Sequence, residues 1–217
     1  MLKIKNLQAS IGNKTIIDSL SFTVESGQCL LITGQNGAGK STLLHTIMGR
    51  PDIVASGEIT LDTSNLHDME CHERARSGVF LAHQSPPTID GVNTMTLFKE
   101  VQKAQNLDIT TGNLIKKVKD LSEQFGLPDD WSKRAFNSGA SGGERKKGEL
   151  MQSVVLAKKT KLLLLDEPDS GLEQSSRQKI IQLITDTCNS GGSVLLVTHD
   201  KELQATYSAN KLDLSNA

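Results

Sequence analysis

Long apolar runs are missing from this 217-residue chain. None approaches the ~20 residues that a helix needs to cross a bilayer. The N-terminus, Met1-Leu2-Lys3-Ile4-Lys5-Asn6, alternates in polarity and lacks the apolar stretch of a secretion signal. Cysteine is scarce. Its three copies, Cys29, Cys71 and Cys188, stand far apart with no C-x-x-C pair. That argues against a zinc knuckle, an iron–sulfur ligand set or a secreted disulfide framework. Cys29 falls in an apolar run, and Cys188 shares a helical face with Ile180 and Ile184, so both read as small buried residues. An excess of one charge is missing too. The 24 basic and 25 acidic side chains give a formal −1, so no global field points to nucleic acid or to a membrane surface. There is no internal repeat and no low-complexity segment. The expectation is a cytoplasmic chain, without direct membrane insertion, that folds as one sizeable domain carrying a small subdomain.

What is present is concentrated in a few short stretches. Gly34-Gln35-Asn36-Gly37-Ala38-Gly39-Lys40-Ser41 fits the phosphate-loop pattern G-x-x-x-x-G-K-[ST] at every fixed position. Before it lies Cys29–Thr33, an apolar run of strand length. After it, beginning at Thr42, the apolar residues Leu43, Leu44, Ile47 and Met48 have helical spacing. Strand, glycine loop and helix bring backbone N–H groups and a helix N-terminus onto one anion. In such a loop Lys40 reaches the β- and γ-phosphates and the Ser41 hydroxyl ligates Mg²⁺. The spacing predicts a nucleotide site.

Lys161-Leu162-Leu163-Leu164-Leu165-Asp166-Glu167 reads as a buried strand ending in two carboxylates. Ligands of open α/β folds bind at such strand ends. Asp166 is placed to hold Mg²⁺ opposite Ser41, and Glu167 to polarise the water that attacks the γ-phosphate. Ser193–Thr198 repeats the pattern and ends at His199-Asp200. By itself His199 reads either as a donor to phosphate or as an ordinary surface histidine. Gln84 also follows an apolar run and could bind Mg²⁺ or the attacking water. Ser141-Gly142-Gly143-Glu144 opens a helix whose apolar face is Leu150, Met151, Val154 and Val155. Its glycines would let backbone N–H groups approach an anion, or Ser141 is simply the helix cap.

The fold class expected is α/β, with a P-loop nucleotide-binding core built on a mostly parallel sheet. Its strands would be Cys29–Thr33, Gly78–Ala82, Lys161–Leu165 and Ser193–Thr198, all short apolar runs covered on both faces. Strands from Leu2, at Ser21–Glu25 and at Gly57–Leu61 alternate and predict an N-terminal antiparallel patch. Helical patterns at Thr94–Ala104 and Asn113–Phe125 predict an inserted helical subdomain over 86–152, interrupting a core of 1–85 and 153–217. Lysines 99, 103, 116, 117 and 119 decorate these helices, but Glu100, Asp120 and Glu123 are interleaved. The lysines read as a solvated face, not a nucleic-acid patch.

Together these stretches resemble the ATP-binding cassette (ABC) family over nearly the whole chain. In the family's order, Gly34–Ser41 matches Walker A, Gln84 the Q-loop and Ser141–Glu144 the signature. Leu162–Glu167 then matches Walker B, Ser170–Glu173 the D-loop and His199 the switch histidine. The resemblance implies ATP and Mg²⁺ as ligands, ATP hydrolysis, and a γ-phosphate contact for His199. It also implies a transient, ATP-dependent head-to-tail dimer in which Ser141, Gly142 and Gly143 of one subunit close over ATP on the other. Within the family, Gln84–Val92, Ser141–Gln152, Asp166–Leu172 and Gly49–Asp52 are most similar to the SufC branch, the ATPase of the Suf iron–sulfur cluster assembly machinery. That branch works with the scaffold subunits SufB and SufD. Two positions depart from the family pattern: Ile11 falls where an aromatic ring stacks on adenine, and Glu173 replaces an aspartate. A membrane-transporter motor and a weakly hydrolysing nucleotide-responsive module remain as alternatives.

Overall fold

The computed structural model describes residues 1–107, 109–156 and 160–216. Strands β1 (Leu2–Ile11) and β2 (Lys14–Val24) form an antiparallel hairpin, and β1 pairs on its other side with β4 (Ile53–Leu61). Leu2, Ile4, Leu7 and Ala9 of β1 are buried. The alternation slips at Asn6, which takes a positive φ of 46° and shifts the register between Ile4 and Leu7. Gly57 of β4 lies against this bulge, where a Cβ would sit 2.4 Å from the Asn6 carbonyl oxygen. Only glycine fits there. With the short β5 (Ser64–Asn65) the patch has the order β2-β1-β4-β5.

The second sheet is parallel throughout, in the order β11-β3-β10-β9-β6. Its strands are β3 (Cys29–Thr33), β6 (Val79–Ala82), β9 (Leu162–Asp166), β10 (Ser193–Val197) and β11 (Lys211–Asp213). Every residue of β9 and β10 is buried, because both faces are covered. Alternate side chains serve two cores. Ile32, Leu162, Leu164, Leu195 and Val197 pack toward the antiparallel patch and helix α1 (Lys40–Met48). Leu31, Leu163, Leu165, Val194 and Leu196 pack on the other face, in one cluster with Phe98, Leu114, Met151, Ile180 and Leu203 of helices later in the chain.

That second core continues without a break into the helical segment. Helix α4 (Thr111–Phe125) presents Leu114, Val118, Leu121 and Phe125 to Leu150, Met151 and Val155 of α5 (Gly142–Leu156), and Phe98 of α3 (Thr94–Ala104) meets Trp131. The segment also holds a two-stranded sheet, β7 (Ile89–Asn93) with β8 (Ala135–Phe136), which the sequence pattern did not reveal. Helices α2 (Cys71–Ser77) and α7 (Lys201–Thr206) and strand β11 were also unforeseen, whereas α6 (Ser175–Asn189) carries the face of Ile180 and Ile184. The first sheet boundary moves from Gly78 to Val79 because Gly78, at φ 105°, caps α2. Cys29 is buried as expected, but Cys188 is only partly covered.

Candidate nucleotide site

The C-terminal ends of β3, β6, β9 and β10 share one edge, since the four strands run parallel. The loop Gly34–Gly39 leaves β3 there and feeds α1. Gly39 is the residue before the helix, at φ 91°, and no side chain caps the helix start. The first N–H groups of α1 therefore remain free of a side-chain cap and can face an anion. A Cβ on Gly39 would come 3.1 Å from Ile16 Cγ2 and 3.3 Å from Ile17 Cγ1, so β2 presses directly on the loop. Lys40 is 8% exposed, and its Nζ donates to the carbonyls of Gly34 (2.8 Å) and Gln35 (3.0 Å). The ammonium is thus held over the loop beside the open amides.

A cavity of about 640 Å³ lies against this loop. Asn36, Gly37, Gly39, Lys40, Ser41 and Thr42 line one side, and Gln84, Glu167 and His199 the other. Gly34, Gln35, Ala38 and Asp166 are not among the residues that line it. Asp166 is 1% exposed, and its Oδ1 has no hydrogen-bond partner among the described residues. A buried carboxylate oxygen of this kind is costly unless something pairs with it. Its oxygen, like the Ser41 hydroxyl and the Gln84 amide of the cavity wall, is a hard donor of the kind that suits Mg²⁺.

Glu167 stands just past β9 at φ 49°, a left-handed conformation that costs about 1–2 kcal/mol for a residue with a Cβ. The turn aims its carboxylate into the cavity, where both oxygens have partners. Gln84 Nε2 donates to Oε2 at 2.9 Å, and His199 Nε2 lies 3.4 Å from Oε1. Since the amide nitrogen of Gln84 is used, its Oε1 remains as an acceptor. His199 is itself braced by its neighbours. Thr198 Oγ1 donates to Asp169 Oδ1 at 2.6 Å, and Asp200 caps α7 while pairing with Arg177 at 2.7 Å.

Ser141, Gly142 and Gly143 do not join the cavity. Ser141 caps α5 in a reciprocal box: its N–H donates to Glu144 Oε2 at 2.7 Å, and the Glu144 N–H donates to Ser141 Oγ at 3.2 Å. The Ser141 backbone N–H, and after it the Ser141 hydroxyl, hold the Glu144 carboxyl below the usual range. Gly142 and Gly143 line a second cavity of about 280 Å³ with Ser85, Pro86, Ser170 and Gly171, and Gln84 borders both cavities. The capping reading of Ser141 therefore holds, and its two glycines lie outside the lining of the phosphate-loop cavity.

Sequence reasoning missed several residues. Ile11 is 40% exposed and is not part of the cavity wall; Lys14 and Ile16 are. The cause is the hairpin, which puts Ile11 at the turn while β2 runs along the loop. Lys146, 4% exposed, donates to the carbonyls of His83 (2.7 Å), Glu167 (3.1 Å) and Asp166 (3.4 Å), and burial lowers its pKa. Glu149 Oε1 accepts the His83 N–H at 2.8 Å. Both fall in helical register with buried Leu150 and Ser153, and that spacing was the available signal.

Residues 17–170 match the family model described as ABC transporter. The chain belongs to the ABC transporter ATPase family. A probable ABC transporter ATP-binding protein of Streptococcus pyogenes is 35% identical over 94% of this chain and 80% of its own length. A probable ATP-dependent transporter, ycf16, of Antithamnion sp. is 32% identical over 94% and 82%, and vegetative protein 296 of Bacillus subtilis is 32% identical over 93% and 78%. In fold, the ATP-binding subunit of an ABC transporter superposes with a TM-score of 0.80 at 21% identity, covering 95% of this chain and 82% of that one. The dimeric post-hydrolysis state of the ATP-binding cassette MJ0796 bound to ADP and Pi gives 0.78 at 20% identity, over 94% and 90%. ABC cassettes bind ATP with Mg²⁺, and this chain is the ATP-binding subunit of an ABC system. Among the described residues no helix is long and apolar enough to cross a membrane.

Proposed function

We propose that this chain hydrolyses ATP and uses the associated closure to drive conformational change in an iron–sulfur cluster assembly scaffold of the SufB/SufD kind. The placement of Gln84 and His199 on either side of the Glu167 carboxylate, one hydrogen-bonded to it at 2.9 Å and the other 3.4 Å away, carries the catalytic part of this reading. The amides of Gly34–Gly39 and of the start of α1, with Lys40, Ser41 and Thr42, receive the phosphates. Ser41, Gln84 and Asp166 would hold Mg²⁺, which neutralises phosphate charge when bound. Glu167 accepts a proton from the attacking water, and His199 donates to the γ-phosphate. Ser141, Gly142 and Gly143 lie outside the lining of the chain's own cavity, and Ser141 and Gly142 are exposed, which suits a lid for ATP on a second copy in a head-to-tail dimer. In this reading 1–85 with 153–217 forms the nucleotide core, and 86–152 is the subdomain that carries the lid.

The scaffold assignment is supported by where the SufC-like stretches lie. Gln84 with its neighbour His83, the segment Ser141–Gln152 and the pair Asp166-Glu167 meet through the bonds of Lys146, Glu149 and Gln84. The names of the curated relatives favour a second reading, the motor of a membrane transporter. Purification of the chain with its partners from its own cells separates them. Soluble scaffold subunits support the first reading, and a multi-spanning membrane protein supports the second.

Base selectivity follows from the cavity wall. Among the described residues no Phe, Tyr or Trp lines it, so the stacking on such a ring worth about 1–3 kcal/mol per base is not supplied. We expect ATP and GTP to bind within about tenfold of each other, each tenfold being about 1.4 kcal/mol. Ile16→Ala should weaken both, and Ile11→Tyr should change neither. Equilibrium titration with the two nucleotides checks this; a preference for ATP beyond about a hundredfold contradicts it.

A further inference from the structure

We infer that Glu149 is a positioning residue for hydrolysis, acting through the backbone of His83 to set the reach of Gln84. The inference rests on the role given to Gln84 above. Pairing of β6 with β9 ends at Ala82 and Leu165, so His83 is the residue between the last rung of the sheet and Gln84. Its backbone is held from the side instead. The His83 N–H donates to Glu149 Oε1 at 2.8 Å, and its carbonyl accepts from Lys146 Nζ at 2.7 Å. The same Glu149 oxygen lies 2.9 Å from His83 Nδ1, which fixes the ring as well. One residue later, Gln84 meets Glu167 at 2.9 Å.

The frame behind Glu149 is rigid. Leu150, Met151 and Val155, on the next turns of α5, belong to the core that runs from α4 to the parallel sheet. Glu149 is 5% exposed, and its Oε2 has no partner among the described residues. Fixing a strand end does not require a buried carboxylate, and leaving one oxygen unpaired costs stability. What the carboxylate adds is one acceptor that grips the His83 backbone and ring together. Reactions that depend on placement lose rate with displacements of about 1 Å, so releasing His83 should be felt at Gln84.

The test joins a local exchange measurement to a double-mutant cycle on the full-length chain. Without nucleotide, amide hydrogen exchange at His83 should be at least about tenfold faster in Glu149→Ala than in wild type, while the amides of α1 stay unchanged. In single-turnover hydrolysis at saturating ATP and Mg²⁺, Glu149→Ala should be slowed about tenfold with ATP affinity within about twofold. Glu149→Gln, which keeps an acceptor for the His83 N–H, should retain at least about half the rate. In a Gln84→Ala background the Glu149→Ala change should add less than about twofold. Glu149→Met, of similar volume but without the acceptor, serves if the alanine variant does not fold. Unchanged His83 exchange, or losses that multiply, overturns the inference. An impaired Gln84→Ala beside an unimpaired Glu149→Ala overturns it alone. An unimpaired Gln84→Ala overturns the reading of Gln84 and this inference with it.

Discussion

Glu167→Gln is expected to slow ATP hydrolysis by at least about a hundredfold while ATP stays bound, the loss typical when a positioned general base is removed. The substituted amide has nearly the same shape, so the left-handed turn at 167 and the contact with Gln84 can persist. What is lost is basicity. The carboxylate stands 3.4 Å from His199 and 2.9 Å from Gln84, inside the cavity that the phosphate loop lines, and among the described residues no other carboxylate lines that wall. Single-turnover phosphate release, measured beside equilibrium ATP binding, separates loss of chemistry from loss of substrate. Equal phosphate release by the two proteins would remove Glu167 from the catalytic role.

Lys40→Ala is expected to act on binding instead. Hydrogen bonds to charged groups contribute about 1.5–3 kcal/mol, so ATP affinity should fall roughly ten- to hundredfold. Lys40 is almost fully buried and already gathered over the Gly34 and Gln35 carbonyls, so little ordering remains to be done when phosphate arrives. Thermal unfolding reports the difference directly. A ligand at a hundred times its Kd stabilises by about 2.7 kcal/mol, a shift that wild type should show and the variant should show only at correspondingly higher ATP. Equal ATP-dependent shifts in the two proteins would mean that Lys40 does not touch the phosphates.

The parts of this site that were legible in the sequence are those whose chemistry is contiguous. The loop Gly34–Ser41 carries its function in its own backbone and two side chains. The strand ends at Asp166, His199 and Gln84 follow apolar runs that need burial on both faces. What stayed hidden depends on pairings the sequence does not mark. Glu149 and Lys146 bind the main chain of His83, which has the same N–H and carbonyl as most residues. Ile16 meets the loop because the bulge at Asn6 and the hairpin turn set the register of β2, a long-range outcome. Strand β11 has a mixed Lys-Leu-Asp sequence, and β8 is two residues long, so neither shows a period.

In the proposed reading this chain holds half of each ATP site, with the cradle at Gly34–Ser41 and a lid at Ser141–Gly143 that serves a second copy. Mixing two defective variants tests it most directly. Lys40→Ala has a poor cradle and an intact lid; Ser141→Arg has an intact cradle and a blocked lid. Each alone should hydrolyse ATP slowly in the presence of the chain's partners, and the mixture should recover activity, because one composite site in each mixed dimer is whole. Full activity of Ser141→Arg by itself, or no recovery on mixing two folded variants, would contradict the account.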